Sequence, residues 1–140
     1  MNEVLEFILK AEGGYVNHPN DPGGETKYGI SKRAYPNEDI KNLTLERACE
    51  LYKRDYMDKV VTEDMSFGQK LFLVDTAVNM GVGRAREFLK ASNGDLDQLF
   101  ALREARYAKI ITANPKLATF RKGWANRLKH LKEVIAAHRE

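Results

Sequence analysis

Glu12, Asp21 and Thr26 place two carboxylates and a hydroxyl in one short stretch, AEGGYVNHPNDPGGETKYGI, at residues 11–30. Glu12 falls at the C-terminal end of an apolar-periodic segment. If that segment is a helix, its end presents partial negative charge, which disfavours an ionised carboxylate. A partly apolar pocket would act in the same direction. A glutamic acid held in its protonated form is what general-acid cleavage of an acetal bond requires. The last turn of a helix is better served by Lys or Arg, so Glu12 goes against local preference, a mark of functional positions. The bland alternative is a surface glutamate on a fraying helix end. Asp21 follows across a Gly/Pro turn, and a hairpin there would let Asp21 and Thr26 face Glu12 across a cleft. A carboxylate pair of this kind serves as acid and as base or nucleophile on opposite faces of a sugar ring. Asp21 in Asp-Pro-Gly-Gly also suits a simple side-chain-stabilised turn. Glu25, beside a tight turn, is a further candidate. His18, Asp21 and Glu25 have no tight ligand spacing of the HExxH kind, so no metal and no other cofactor is expected.

The elements that must position these groups are legible from periodicity. Val4, Leu5, Ile8 and Leu9 recur at helical spacing, so residues 2–12 read as an amphipathic helix stopped by Gly13. The Gly/Pro-rich segment that follows contains short alternating pieces compatible with a small hairpin. Ser31 to Tyr35 reads as one helical turn before Pro36. Thr44 can cap a helix to about Lys59, with Leu45, Ala48, Cys49, Leu51, Tyr52 and Tyr56 on its buried side. Ser66 and Gln69 fit a capping box that opens the most apolar helix, Phe67 to Asn79. Gly81 and Gly83 break it, either as a sharp turn or to let helices approach closely, and Arg84 to Ala91 resumes a short helix. Asp95 with Gln98 opens another helix, ended before Pro115, and the last runs from about Phe120 to Ala137. There is too little strand for any βαβ scheme. The fold class expected is mainly α, with a small N-terminal β-hairpin lobe packed on a body of five to seven helices.

Composition bounds the rest. The 140 residues are 43% hydrophobic and 31% charged, ordinary for a globular domain and unlike a disordered chain. The single cysteine, Cys49, cannot form an internal disulfide, and its apolar-periodic setting favours a buried structural thiol. The first helix carries Glu3, Glu6 and Lys10, and no signal peptide or membrane-spanning run is evident. The net charge of +3 is unevenly spread: residues 101–140 carry ten Lys/Arg against three Asp/Glu, hence +7. That end reads either as attraction to an anionic polymer or as a solvated helix face.

Two further groups have two readings each, and a third has one. Asp75 and Asn79 lie one helical turn apart on the central apolar helix. They form a cleft wall, with Asn79 touching sugar, or an internal polar network, with Asp75 at its centre. Tyr15 and Tyr28 flank the Gly/Pro turn and either stack on sugar rings or pack beside a small sheet. Arg103, Arg106, Tyr107, Trp124 and Arg127 read as interhelical packing with charged tips.

The stretch EGGYVNHPNDPGGETKYGI resembles the signature of glycoside hydrolase family 108, lysozyme-like N-acetylmuramidases that include many phage endolysins. LVDTAVNMGVGRAREFL and FRKGWANRLKHL resemble later segments of the same proteins, in the same order along most of the chain. The resemblance implies a lysozyme-like fold, with one catalytic domain over residues 1–140. It implies cleavage of the β-1,4 bond between N-acetylmuramic acid and N-acetylglucosamine in peptidoglycan, and Glu12 as the catalytic acid. The Glu-x8-Asp-x4-Thr spacing is similar to the catalytic trio of phage-type lysozymes, one residue shorter before the threonine. With no export signal evident, an endolysin waiting in the host cytoplasm for a holin to open its way to the wall fits best, and a monomer is expected. One departure stands out. Many relatives carry a peptidoglycan-binding-like insert after the NxG segment, whereas here FLKASNGDLDQLFALREARY passes directly to the next helix. Residues from about 67 to 140 thus resemble a shortened form of that region. Rival readings are a lytic transglycosylase or a chitinase-like enzyme on the same fold. A basic helical nucleic-acid-binding protein is a third, although base-contacting motifs are absent and no nucleic-acid partner is expected.

Overall fold

A computed structural model describes residues 2–17 and 24–138. The chain divides into two compact units, residues 1–59 and 60–140. In the first unit, helix α1 spans Glu3–Glu12. Asn2 caps it, its side chain accepting from the Val4 N–H at 2.8 Å, and Gly13 closes it with an N–H donated to the Leu9 carbonyl at 3.3 Å. Val4, Leu5, Ile8 and Leu9 are buried, the face their spacing predicts. Three short strands follow, β1 at Val16–Asn17, β2 at Glu25–Lys27 and β3 at Ile30–Ser31. They form an antiparallel sheet in the order β1-β2-β3, with Thr26 paired to Val16 on one side and to Ser31 on the other. The expected hairpin is therefore a three-stranded sheet, because Ile30-Ser31 turns back onto β2.

Thr44 caps helix α2, Leu45–Tyr52, accepting from the Arg47 N–H at 3.1 Å. The sequence predicts one continuous helix to Lys59. Instead the helix widens to π geometry over Lys53–Met57 before α3, Asp58–Val60. Leu45, expected on the buried side, is 44% exposed because it sits in the first turn. Cys49 is half-buried, and burial raises its thiol, as a structural rather than a reactive cysteine requires.

The second unit is helical among its described residues. Helix α4, Phe67–Met80, opens with the full capping box of Ser66 and Gln69. Leu71 through Ala77 are all buried, and α4 packs against α5 (Val82–Ser92), α6 (Leu96–Ala113) and α7 (Arg121–Ala137). Gly81 ends α4 and starts α5 with φ +99, and nothing lies within 4 Å of a β-carbon built there. It therefore serves the sharp turn and not a close helix approach. Asp95 caps α6 by accepting from the Gln98 N–H at 2.9 Å. A 3₁₀ segment, Pro115–Phe120, leads into α7. Each fully buried Leu or Phe here contributes about 1.5–3 kcal/mol.

Candidate active site

Glu12 is the last residue of α1 and is half-buried. What brings other groups to it is the turn between β2 and β3. Lys27 pairs with Ile30, leaving a two-residue loop, and both loop residues have positive φ: Tyr28 at 54° and Gly29 at 78°. That is the type I′ hairpin geometry, whose twist matches the strands it joins. An aromatic residue in the left-handed region is uncommon and costs energy, so something must hold it. Two hydrogen bonds do. The Tyr28 N–H donates to the Gly13 carbonyl at 3.1 Å, tying the turn to the end of α1. The Tyr52 hydroxyl, from the last residue of α2, donates to the Tyr28 carbonyl.

Gly29 sits at the point of contact. A β-carbon there would lie 2.6 Å from the Tyr52 hydroxyl oxygen and 2.9 Å from both Cβ and Oε2 of Glu12. Only glycine allows the carboxyl, the phenol and the turn to share this space. The residue following Tyr52 on the same face, Tyr56, lies in the π segment, with ring centroids 5.6 Å apart. Burial raises the Tyr56 phenol first, and the electrostatic influence of Asp55 and then Glu12 raises it further. π turns inside helices recur at functional sites.

The other sequence candidates are placed as follows. Thr26 is half-buried at the middle of the central strand, two residues before the turn that meets Glu12. Asp21 and His18 lie outside the described residues. Tyr15 is 39% exposed and its hydroxyl donates to Glu25 Oε2 at 2.7 Å, a bond that holds the phenol above its ordinary value. Tyr28 is half-buried, with the Lys27 ammonium 5.5 Å from its ring centroid.

Asn79 and Asp75 belong to the second unit, where they join a polar network. Asp75 Oδ1 accepts from Arg127 Nε at 3.1 Å and from its terminal nitrogen at 2.7 Å, and Oδ2 lies 2.7 Å from Arg103. Arg103 is fully buried and also donates to Thr76 Oγ1 and to the Tyr107 hydroxyl, each at 3.0 Å. With its amide oriented to satisfy both guanidiniums, the Asn79 oxygen accepts from Arg127 at 3.0 Å and from Arg103 at 3.2 Å. Asp75 is thus the centre of an interhelical network, and Arg103, Tyr107 and Arg127 are its spokes. Trp124 stacks on Tyr107 at 4.6 Å between ring centroids. Sequence reasoning missed Gly29, Tyr52 and Tyr56 as site groups. The i, i+4 spacing of the two tyrosines and the Tyr-Gly pair before β3 were the available signals.

The Glu12 carboxyl thus lies at a helix end against a glycine turn that the Tyr52 hydroxyl tethers. The sequence pattern of Glycosyl hydrolase 108 matches residues 5–81, a span containing Glu12, Gly29 and Tyr52. The chain belongs to glycosyl hydrolase family 108. It is therefore a glycoside hydrolase. In structure it is similar to the chain solved as Brucella abortus SagA, with a TM-score of 0.75 and 27% identity, covering 96% of this chain and 92% of that one. No curated protein matches it. The fold is mainly α and lysozyme-like, and family and likeness together support peptidoglycan as the polymer degraded. No described helix is long and apolar enough to cross a membrane.

Proposed function

We propose that the protein hydrolyses the β-1,4 bond between N-acetylmuramic acid and N-acetylglucosamine, with Glu12 as the general acid. The observation that carries this reading is the fixed position of the Glu12 carboxyl, whose Oε2 would lie 2.9 Å from a β-carbon at Gly29 in a turn tethered to Gly13 and Tyr52. A proton held there is delivered to the glycosidic oxygen as positive charge develops on the sugar ring. Asp21, or a water it orients, acts on the opposite face, and Thr26 helps place that water. Tyr15 and Tyr28 are the proposed sugar contacts. No metal or other cofactor takes part.

Residues 1–140 act as one catalytic domain in this reading, as a monomer. Its C-terminal helices, with the +7 charge of residues 101–140, draw the protein to an anionic wall. The biological role proposed is that of an endolysin, which gathers in the host cytoplasm and meets the wall once a holin opens the membrane. Mass spectrometry of digested peptidoglycan tests the chemistry. Reducing muramic acid ends are expected. 1,6-Anhydro ends would replace hydrolysis by the transglycosylase reaction, which uses only the acid, and cleavage of chitin alone would replace the substrate.

A further inference from the structure

The first unit holds a cavity of about 560 Å³ that the acid–base chemistry does not use, lined by Tyr35, Asn37, Glu38, Arg54, Asp55 and Tyr56. Its size is within the range of ligand clefts, about 300–1,000 Å³. Tyr56 ties it to the catalytic acid: the Tyr56 ring lies 5.6 Å from that of Tyr52, whose hydroxyl meets the turn that confines Glu12. The cavity is rich in charges, but each is already answered. Glu38 receives Arg47 on both oxygens at 3.0 Å. Asp55 receives Arg54 on both oxygens at 2.8 and 2.9 Å, and also the Tyr35 hydroxyl at 2.7 Å. The Lys32 ammonium is bound to the Glu38 carbonyl at 2.8 Å.

A charged ligand would find no uncompensated counter-charge on this wall. A neutral ring bearing several hydroxyls would find fixed donors and acceptors, held by forked ion pairs at no further cost in ordering, and two aromatic faces. We propose that this cavity is a saccharide subsite, taking an uncharged N-acetylhexosamine of the glycan strand beyond the bond that Glu12 cleaves. The proposal rests on the hydrolase reading above and adds where the chain lies. Tyr35 supplies a stacking face, and the Asp55 and Glu38 carboxylates with the Arg54 guanidinium bind hydroxyls.

Two measurements test it on the full chain. In the first, kcat/KM is determined on peptide-free glycan fragments of increasing length for the wild type, Tyr35→Ala and Tyr35→Phe. Tyr35→Ala should lower kcat/KM on the longest fragments about tenfold, the size of one lost aromatic contact. The loss should sit in KM and shrink as the fragments become shorter, and Tyr35→Phe should recover most of it. An equal loss at every length, or none, overturns the subsite. The second does not depend on turnover: amide shifts are followed as the peptide-free tetrasaccharide is added to Glu12→Gln protein. Shifts at residues 34–38 and 54–56 are expected, and their absence overturns the subsite. A wild type that binds there but cleaves nothing would leave the subsite standing and overturn the hydrolase reading instead.

Discussion

Glu12 in the first unit and Asp75 in the second are both carboxylates on apolar-faced helices, yet their surroundings differ in kind. Asp75 is wholly buried and faces two guanidiniums, which also donate to Thr76, Tyr107 and Asn79. Glu12 is half-buried at a helix end, and a left-handed turn, a missing β-carbon at Gly29 and the Tyr52 hydroxyl lie close around it. A buried charge needs counter-charges beside it, because desolvation costs several kcal/mol per ion; Asp75 has two, although its Oδ2 meets Arg103 as an ion pair without a hydrogen bond. On the reading proposed above, a carboxyl that donates a proton must be reachable by the sugar chain, which the end of a helix allows and the interior of a bundle does not.

This contrast yields separable outcomes. Asp75→Ala leaves Arg103 buried beside Arg127 without their shared counter-ion, and should cost about 3–5 kcal/mol in urea unfolding. Activity per folded molecule should hold. Lost turnover with unchanged stability would erase the distinction. Gly29→Ala is expected to do the reverse. It adds about 1–2 kcal/mol of left-handed backbone strain and displaces the Glu12 carboxyl, so turnover falls on the order of 10²-fold. Tyr52→Phe removes the bond to the Tyr28 carbonyl, worth about 0.5–1.5 kcal/mol. Its stability change should be accompanied by a larger fall in kcat than in KM, since the turn and Glu12 loosen together. Full kcat in this variant would show that the turn holds itself.

The smallest effect is one of pH. The hydrogen bonds from Arg54, then that from Tyr35, hold the Asp55 carboxyl below its usual range. A depressed carboxylate contributes stability that is present above its unfolded value, about 3.9, and lost as pH falls through its folded value. Asp55→Asn should therefore flatten part of the acid limb of a stability–pH curve. The Tyr35 phenol is pushed above its ordinary value by burial and by Asp55. Its contribution is present below about pH 10 and is lost as pH rises further. In an ultraviolet titration Tyr35 should ionise late, and earlier in Asp55→Asn.

What could be read from sequence follows the range of the interactions. The end of α1 at Glu12, the caps at Thr44, Ser66 and Asp95, and the apolar run of α4 depend on neighbours a few positions away, and all are where periodicity puts them. Asp75 plainly needed partners, but Arg127 lies 52 positions on, so spacing could not name it. The site suffered the same limit. Tyr-Gly is a weak turn signal beside Asn-Gly, and nothing local reveals that the turn docks on Gly13 or that Tyr52 locks it. The π segment was equally hidden, since its residues keep helical periodicity. The other half of the expected carboxylate pair, Asp21, lies outside the described residues.

The most direct test of the central claim is Glu12→Gln, assayed on purified peptidoglycan with unfolding measured alongside. The amide keeps the size of the side chain and removes the proton. Native stability is expected, with turnover reduced about 10²–10⁴-fold, the range of general-acid catalysis. A stable, folded Glu12→Gln protein that releases sugar ends at the wild-type rate would contradict it.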